Sequence, residues 1–433
     1  MKDKVRRGKG LFIHVFLFVI AAGMSANPLG SSQEDSLSVH KRRFIHRMSV
    51  DIHPELILPT NDFVRGVNKS LQPFDRSLSA HLKYSFQIHP NSVLDQIFGG
   101  AYQGVGIAAY TFGDKEQLGA PLTFYIFQGA RLARLSRRIS LNYEWNFGLS
   151  NGWIPYDPDT NPYNVIIGSK RNAYVNADLY LNWILSRKID LAAGLTLSHF
   201  SNGNTRFPNA GLNLAGVKVG LNYHFNRETQ FLTNYAPHAS YPDFPRHISY
   251  DVVLFGSWRR KAVVYGDKQI PTPDSHLVTG FNFAPMYNLG YNFRAGISLD
   301  GSYDGSANIF IPDEYYSVSS RPPQPSDRTR HYVVYSEKPV FRRPSFEKQI
   351  ALGLSGRAEF VMPIFSVNIG FGANLYHAGE DIKTFYQILA LKIKTSRHTF
   401  LHIGYCLQNF NTPNYLMLGL GLRFNNKYPK FCI

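Results

Sequence analysis

The chain has 433 residues, of which 44% are hydrophobic, 18% charged and 14% aromatic, and a formal net charge of +16. Mean hydropathy is −0.21, and the only long apolar run spans residues 11–22; this excludes a polytopic helical membrane protein, and the hydrophobic share excludes disorder. The two cysteines, Cys406 and Cys432, exclude a disulfide scaffold and a cysteine-based zinc site, leaving a soluble β-rich protein or a membrane β-barrel.

The chain opens with Lys2, Lys4, Arg6, Arg7 and Lys9, then the apolar run, then Ala21, Ala22, Gly23, Ser25 and Ala26. Basic, apolar and small residues in that order predict a secretory signal peptide over residues 1–26. Its removal takes away five bases and one acid and leaves a net charge of +12. Residues 27–46 read as a polar lead-in without periodicity.

From there the chain alternates with period two, segment after segment. Ile139, Leu141, Tyr143, Trp145, Phe147 and Leu149 interleave with Ser140, Asn142, Glu144, Asn146, Gly148 and Ser150. Residues 173–185, 350–360 and 416–424 behave the same way. Such runs reach about 10–13 residues, against about 5–6 for ordinary soluble strands and about 9–11 for a tilted strand crossing a bilayer. Sixteen strands are predicted, starting near residues 48, 79, 101, 120, 138, 172, 188, 211, 247, 276, 290, 347, 365, 384, 398 and 415. The joins 186–188, 362–364 and 395–397 are short, whereas 61–78, 151–171 and 303–346 are long. With the N-terminus in the periplasm, these short joins fall inside and the long ones outside, as in outer-membrane barrels. Residues 226–246 break the rule as a long periplasmic turn. A soluble sandwich or propeller would also alternate, but with shorter strands and more charge.

One hairpin carries chemistry. Leu197, Ser198, His199, Phe200, Ser201, Asn202 and Gly203 end the seventh strand; Pro208, Asn209, Ala210, Gly211, Leu212 and Asn213 lead into the eighth. His199 and Ser201, two apart on an extended chain, leave on one face. Asn213 enters the paired strand, so nucleophile, base and base-orienting group can converge as in a catalytic triad. Parity puts all three with Leu195, Leu197, Ala215 and Val217, on the apolar and hence lipid-facing side. Polar groups there are costly without a use, and the substrate able to reach them is a membrane lipid. From residue types alone, an ordinary turn rich in Asn, Gly and Pro fits the same segment. Glu144 and Asp178, on the opposite parity, are expected in a lumenal ionic network with Lys218 and Arg357.

This stretch resembles the active-site segment of the outer-membrane lipid A 3-O-deacylase (PagL-type) family over His199-Phe200-Ser201-Asn202, Pro208-Asn209 and Gly211. The resemblance covers roughly residues 47–226. It implies an eight-stranded barrel enzyme with Ser201 as nucleophile, His199 as general base, and Asn202 and Asn209 in the oxyanion hole. The family's third triad member is Glu, and Asn213 stands at that place. His199-Phe200-Ser201-Asn202-Gly203, with Asn213 fourteen residues after the His, also resembles outer-membrane phospholipase A, which uses a Ser-His-Asn triad.

Residues 227–433 exceed an eight-stranded enzyme. Residues 404–411 echo 194–201, with Asn409 and Asn411 at the places of His199 and Ser201; a duplicated copy would lack the catalytic pair. The loop 303–346 carries Arg321, Arg328, Arg330, Arg342 and Arg343, which could meet lipopolysaccharide phosphates. Cys406 and Cys432 could pair in an oxidising compartment. No metal-ligand cluster and no cofactor motif is found, and export with scattered basic residues argues against nucleic acid.

The expectation is therefore an all-β, antiparallel barrel of the bacterial outer membrane. It has about 14–16 strands, or an eight-stranded enzyme barrel over 47–226 plus an added β-half over 227–433. Its expected function is hydrolysis of an ester-linked acyl chain of lipid A in lipopolysaccharide. A phospholipase A-like hydrolase and a non-enzymatic porin are the alternatives.

Overall fold

The structure is a computed structural model and describes residues 44–88, 93–227, 243–265, 268–312, 316–319, 332–335, 339–409 and 412–428. The expected signal peptide, nearly all of the lead-in, Cys432, Asn411, Arg321, Arg328 and Arg330 lie outside the described residues.

Eight strands close a first barrel: β1 (Phe44–Ile57), β2 (Arg76–Ile88), β3 (Tyr102–Thr111), β4 (Gly119–Arg134), β5 (Ile139–Trp153), β6 (Arg171–Ile184), β7 (Ile189–Ser201) and β8 (Leu212–His224). Closure comes from β1 against β8, with Arg47 opposite His224 and Ile57 opposite Leu214. The second barrel contains β9 (His247–Arg259), β12 (His276–Asn288), β13 (Phe293–Asp304), β16 (Ile350–Val361), β17 (Phe365–His377), β18 (Phe385–Lys394), β19 (Thr399–Gln408) and β20 (Thr412–Phe424). It closes through β20 against β9. Two hairpins, β10 (Ala262–Tyr265) with β11 (Lys268–Pro271) and β14 (Tyr316–Ser319) with β15 (Tyr332–Tyr335), sit in the loops of the second barrel. A short helix, α1 (Val93–Ile97), lies between β2 and β3.

The sixteen long strands start within a few residues of the predicted positions. Of the two arrangements expected, the chain adopts separate rings of eight rather than one ring of about sixteen. The exception at 226–246 has its cause here: it joins β8 to β9 and connects two rings. An even strand count returns the chain to the end where it began; the joins 58–75, 154–170 and 202–211 share one end of the first ring, and the α1 join lies at the other.

Alternation separates lipid from lumen on every strand. On β7, Leu195 and Leu197 are 62% and 58% exposed, whereas Thr196 and Ser198 are 1% and 4% exposed. The outer face therefore needs a bilayer, and the inner face must satisfy its own polar groups. In the first lumen, Lys83 Nζ lies 2.5 Å from Asp51 and 2.7 Å from Glu144, and Lys218 Nζ lies 2.7 Å from Asp178 and 3.1 Å from Glu144. In the second, Arg294, Lys392 and Arg423 share Asp251 and Glu359 at 2.5–3.4 Å. The expected link between Glu144 or Asp178 and Arg357 does not form. Arg357 belongs to the second ring, where it bonds Asp300 at 2.7 Å. Separate closure puts it in another lumen. Cys406 lies buried on β19 and is free among the described residues.

The barrels touch side by side. Phe365, Leu391 and Ile393 of the second pack against Ile126, Trp145 and Phe147 of the first. The Trp145 and Phe365 rings meet edge-on at 5.5 Å. Leu391 and Ile393 occupy outward positions yet are only 7% and 5% exposed, because the first barrel covers them. Nearer the short turns, Ile97 and Phe98 pack with Tyr291, Met362 and Tyr428, and Asn292 Nδ2 donates to Ile97 O at 2.9 Å.

Candidate active site

The β7–β8 hairpin is held from both sides. Phe200 points into the lumen, fully buried, against Tyr110, Phe112, Trp153 and Tyr174, with centroids 5.0–6.2 Å away. Aromatic packing of that kind contributes beyond its buried area, and it locks the end of β7 between His199 and Ser201. The loop joining β5 to β6 braces the other flank. Ala210 N donates to Val165 O at 3.2 Å and Gly211 N to Ile166 O at 3.1 Å. Gly168 passes so close that a Cβ there would lie 2.6 Å from Pro208 O.

The register sets His199 opposite Asn213. His199 Nδ1 lies 2.7 Å from Asn213 Oδ1. A carboxamide oxygen only accepts, so Nδ1 carries the hydrogen and Nε2 presents its lone pair. That is the tautomer a general base needs. His199 is exposed on the lipid-facing side, and Asn213 is half-buried. Gly211, at φ +74°, leaves room for the imidazole, since a Cβ there would lie 2.9 Å from His199 Cε1.

Ser201 ends β7, 9% exposed. Its Oγ accepts from Asn209 Nδ2 at 3.0 Å and from Gly203 N–H at 3.1 Å. Among the described residues it makes no hydrogen bond to His199. Such contacts commonly form only when substrate arrives. Asn209 Oδ1 accepts the Asn202 N–H at 2.8 Å. The Asn202 side chain turns into the loop, its Nδ2 donating to Arg206 O at 2.9 Å and to Pro208 O at 3.4 Å. Of the two amides expected in an oxyanion hole, Asn209 aims a donor at Ser201 and Asn202 shapes the turn.

All five predicted residues thus fall in one hairpin. Sequence reasoning missed two contributors. Gly203 offers a backbone N–H to Ser201 Oγ, and its φ of +64° permits the turn. Asn204, also left-handed at φ +60°, accepts from Asn209 Nδ2 at 3.1 Å. Only the run Asn202-Gly203-Asn204, in which Gly and Asn both tolerate such backbones, hinted at them. Among the described residues no cluster of His, Cys, Asp and Glu could hold a metal ion.

The echo of this hairpin lies on β19 and β20, the equivalent strands of the second barrel. There the strands are joined by residues 409–411 alone, so nothing corresponds to the segment 202–211 that carries Asn202, Asn209 and Gly211.

Residues 78–222 match the lipid A 3-O-deacylase (PagL) family, and residues 248–426 match the C-terminal domain of acyloxyacyl hydrolase. No curated protein matches the chain in sequence. Among solved structures, Neisserial surface protein A is 10% identical, covering 42% of this chain and 98% of its own, at a TM-score of 0.28. The outer membrane enzyme PagL is 13% identical, covering 40% and 97%, at 0.27. The N-terminal β-barrel domain of Pseudomonas aeruginosa OprF is 7% identical, covering 41% and 97%, at 0.24.

Proposed function

Since this chain belongs to the lipid A 3-O-deacylase family and is an outer-membrane hydrolase that deacylates lipid A, we propose that it works as a serine esterase, with Ser201, His199 and Asn213 as its triad. The observation that carries this reading is the 2.7 Å bond from His199 to Asn213. It frees Nε2 toward the face that Ser201 shares.

The reaction starts when an acyl ester of lipid A, lying in the outer leaflet, reaches the lipid-facing end of β7. Rotation about the Ser201 Cα–Cβ bond brings Oγ to Nε2. Oγ–H gives its proton to Nε2 as Oγ bonds the ester carbonyl carbon. The resulting oxyanion takes hydrogen bonds from Asn209 Nδ2 and Gly203 N–H, both of which serve Oγ at rest. Such preorganised donors are each worth about 3–4 kcal/mol in comparable esterases. Collapse breaks the C–O bond to the sugar, and the imidazolium returns its proton to the departing sugar oxygen. Water, deprotonated by His199, then releases the fatty acid from Ser201. Asn213 orients the ring without adding charge, so it stabilises the imidazolium less than a carboxylate would.

Within this proposal, residues 47–226 form the enzyme half and residues 227–433 an added half. Mass spectrometry of lipid A and phospholipids, incubated with the protein or with Ser201→Ala, tests the reading. Loss of one acyl chain from lipid A that depends on Ser201 supports it. Ser201-dependent lysophospholipid with lipid A untouched would replace the substrate, and lipid A cleavage surviving in Ser201→Ala would end the serine mechanism.

A further inference from the structure

The donors around Ser201 are not set by the first barrel alone. Asn209 Nδ2 reaches Ser201 Oγ at 3.0 Å and Asn204 Oδ1 at 3.1 Å. Asn204 in turn is gripped by the second barrel: its Nδ2 donates to Asn414 O at 3.1 Å, and its own O accepts Arg260 N–H at 3.2 Å. The adjoining Gly203 is walled by the same barrel. A Cβ placed there would find Leu416 Cβ and Tyr405 Cε2 at 3.5 Å as its nearest neighbours. Two bonds therefore link the backbone of β20 to the nucleophile's partner, and the residue between them holds a left-handed backbone that isolated Asn visits only as a minor state.

We propose that the second barrel completes the active site by fixing Asn204, which serves as a positioning residue for the Asn209 and Gly203 donors at Ser201. This rests on the serine mechanism and extends it. Asn414 O and Arg260 N–H act through the backbone, so a barrel without a catalytic pair still contributes to catalysis. Removing the grip lets the Asn209 amide leave Ser201, and the loss falls on the transition state, where the donors are needed, more than on lipid binding.

Full-length Asn204→Gly keeps the left-handed backbone and removes only the amide. It is expected to insert and fold as a heat-modifiable barrel protein, with kcat on lipid A lowered about tenfold and KM unchanged. Labelling of Ser201 by a long-chain fluorophosphonate should slow in parallel, a readout that a merely structural role would leave alone. Asn204→Asp keeps an acceptor for Asn209 but loses the Nδ2 donor to Asn414 O, so its kcat should stay lowered; a wild-type rate there would show that the grip is not needed. Tyr405→Ala, on the second barrel, should lower kcat in the same direction. Wild-type kcat and labelling in both Asn204→Gly and Tyr405→Ala would overturn the proposal while Ser201→Ala remained inactive; activity in Ser201→Ala would instead strike the serine mechanism beneath it. A raised KM with unchanged kcat would also overturn it, since the second barrel would then be binding lipid rather than positioning donors.

Discussion

The seventh and eighth strands of the two barrels form the same hairpin twice with different content. In the first, ten residues separate β7 from β8, and His199 faces Asn213 across the pair. In the second, three residues separate β19 from β20, and Gln408 faces Thr412. Both hairpins present apolar side chains outward and close their rings equally well. Barrel architecture therefore demands nothing of His199, Ser201 or Asn213, and the longer loop is what allows donors to curl back over Ser201. Function lives in a graft on the rim of a fold that does not need it.

The contrast can be attacked in order of effect. Ser201→Ala should reduce lipid A deacylation by at least about 10³-fold with unchanged barrel assembly, measured by release of free fatty acid. Asn213→Ala should cost about 10²-fold by freeing the imidazole tautomer, whereas Asn213→Glu should stay within a few fold of the parent or exceed it. Equal loss in both Asn213 variants would mean that the residue does not orient the base. Gly211→Ala should cost about tenfold, because its Cβ at 2.9 Å from His199 Cε1 displaces the ring and φ +74° disfavours any side chain. Asn409→Gly, at the place of His199 in the other hairpin and with φ +48°, should leave turnover unaltered; a measurable drop there would falsify the view that the second hairpin lacks chemistry of its own.

Much of this was legible in residue order. Period-two alternation located all sixteen long strands, because each must present apolar side chains to lipid and polar ones to a lumen. The i, i+2 spacing of His199 and Ser201 fixed their common face, and Asn213 followed from hairpin pairing. Ring closure was not legible. Whether β8 pairs with β1 or passes on to β9 depends on contacts far apart in sequence, and the one local signal was the misplaced long join at 226–246. The misassignment of Arg357 came from the same source: parity sends a charge into a lumen but does not say which lumen. Asn204 and the grip of Asn414 O and Arg260 N–H were equally hidden, since backbone atoms leave no mark in a side-chain pattern.

The even strand number of each ring has a consequence for how the molecule is sealed. Every ring is sealed by its own first and last strand, so the molecule carries two independent zippers rather than one long one. The seam between β1 and β8 needs nothing translated after His224. Each ring's backbone hydrogen bonding is therefore complete without a strand from the other. The two sealed walls meet through side chains, Phe365, Leu391 and Ile393 of the second against Ile126, Trp145 and Phe147 of the first.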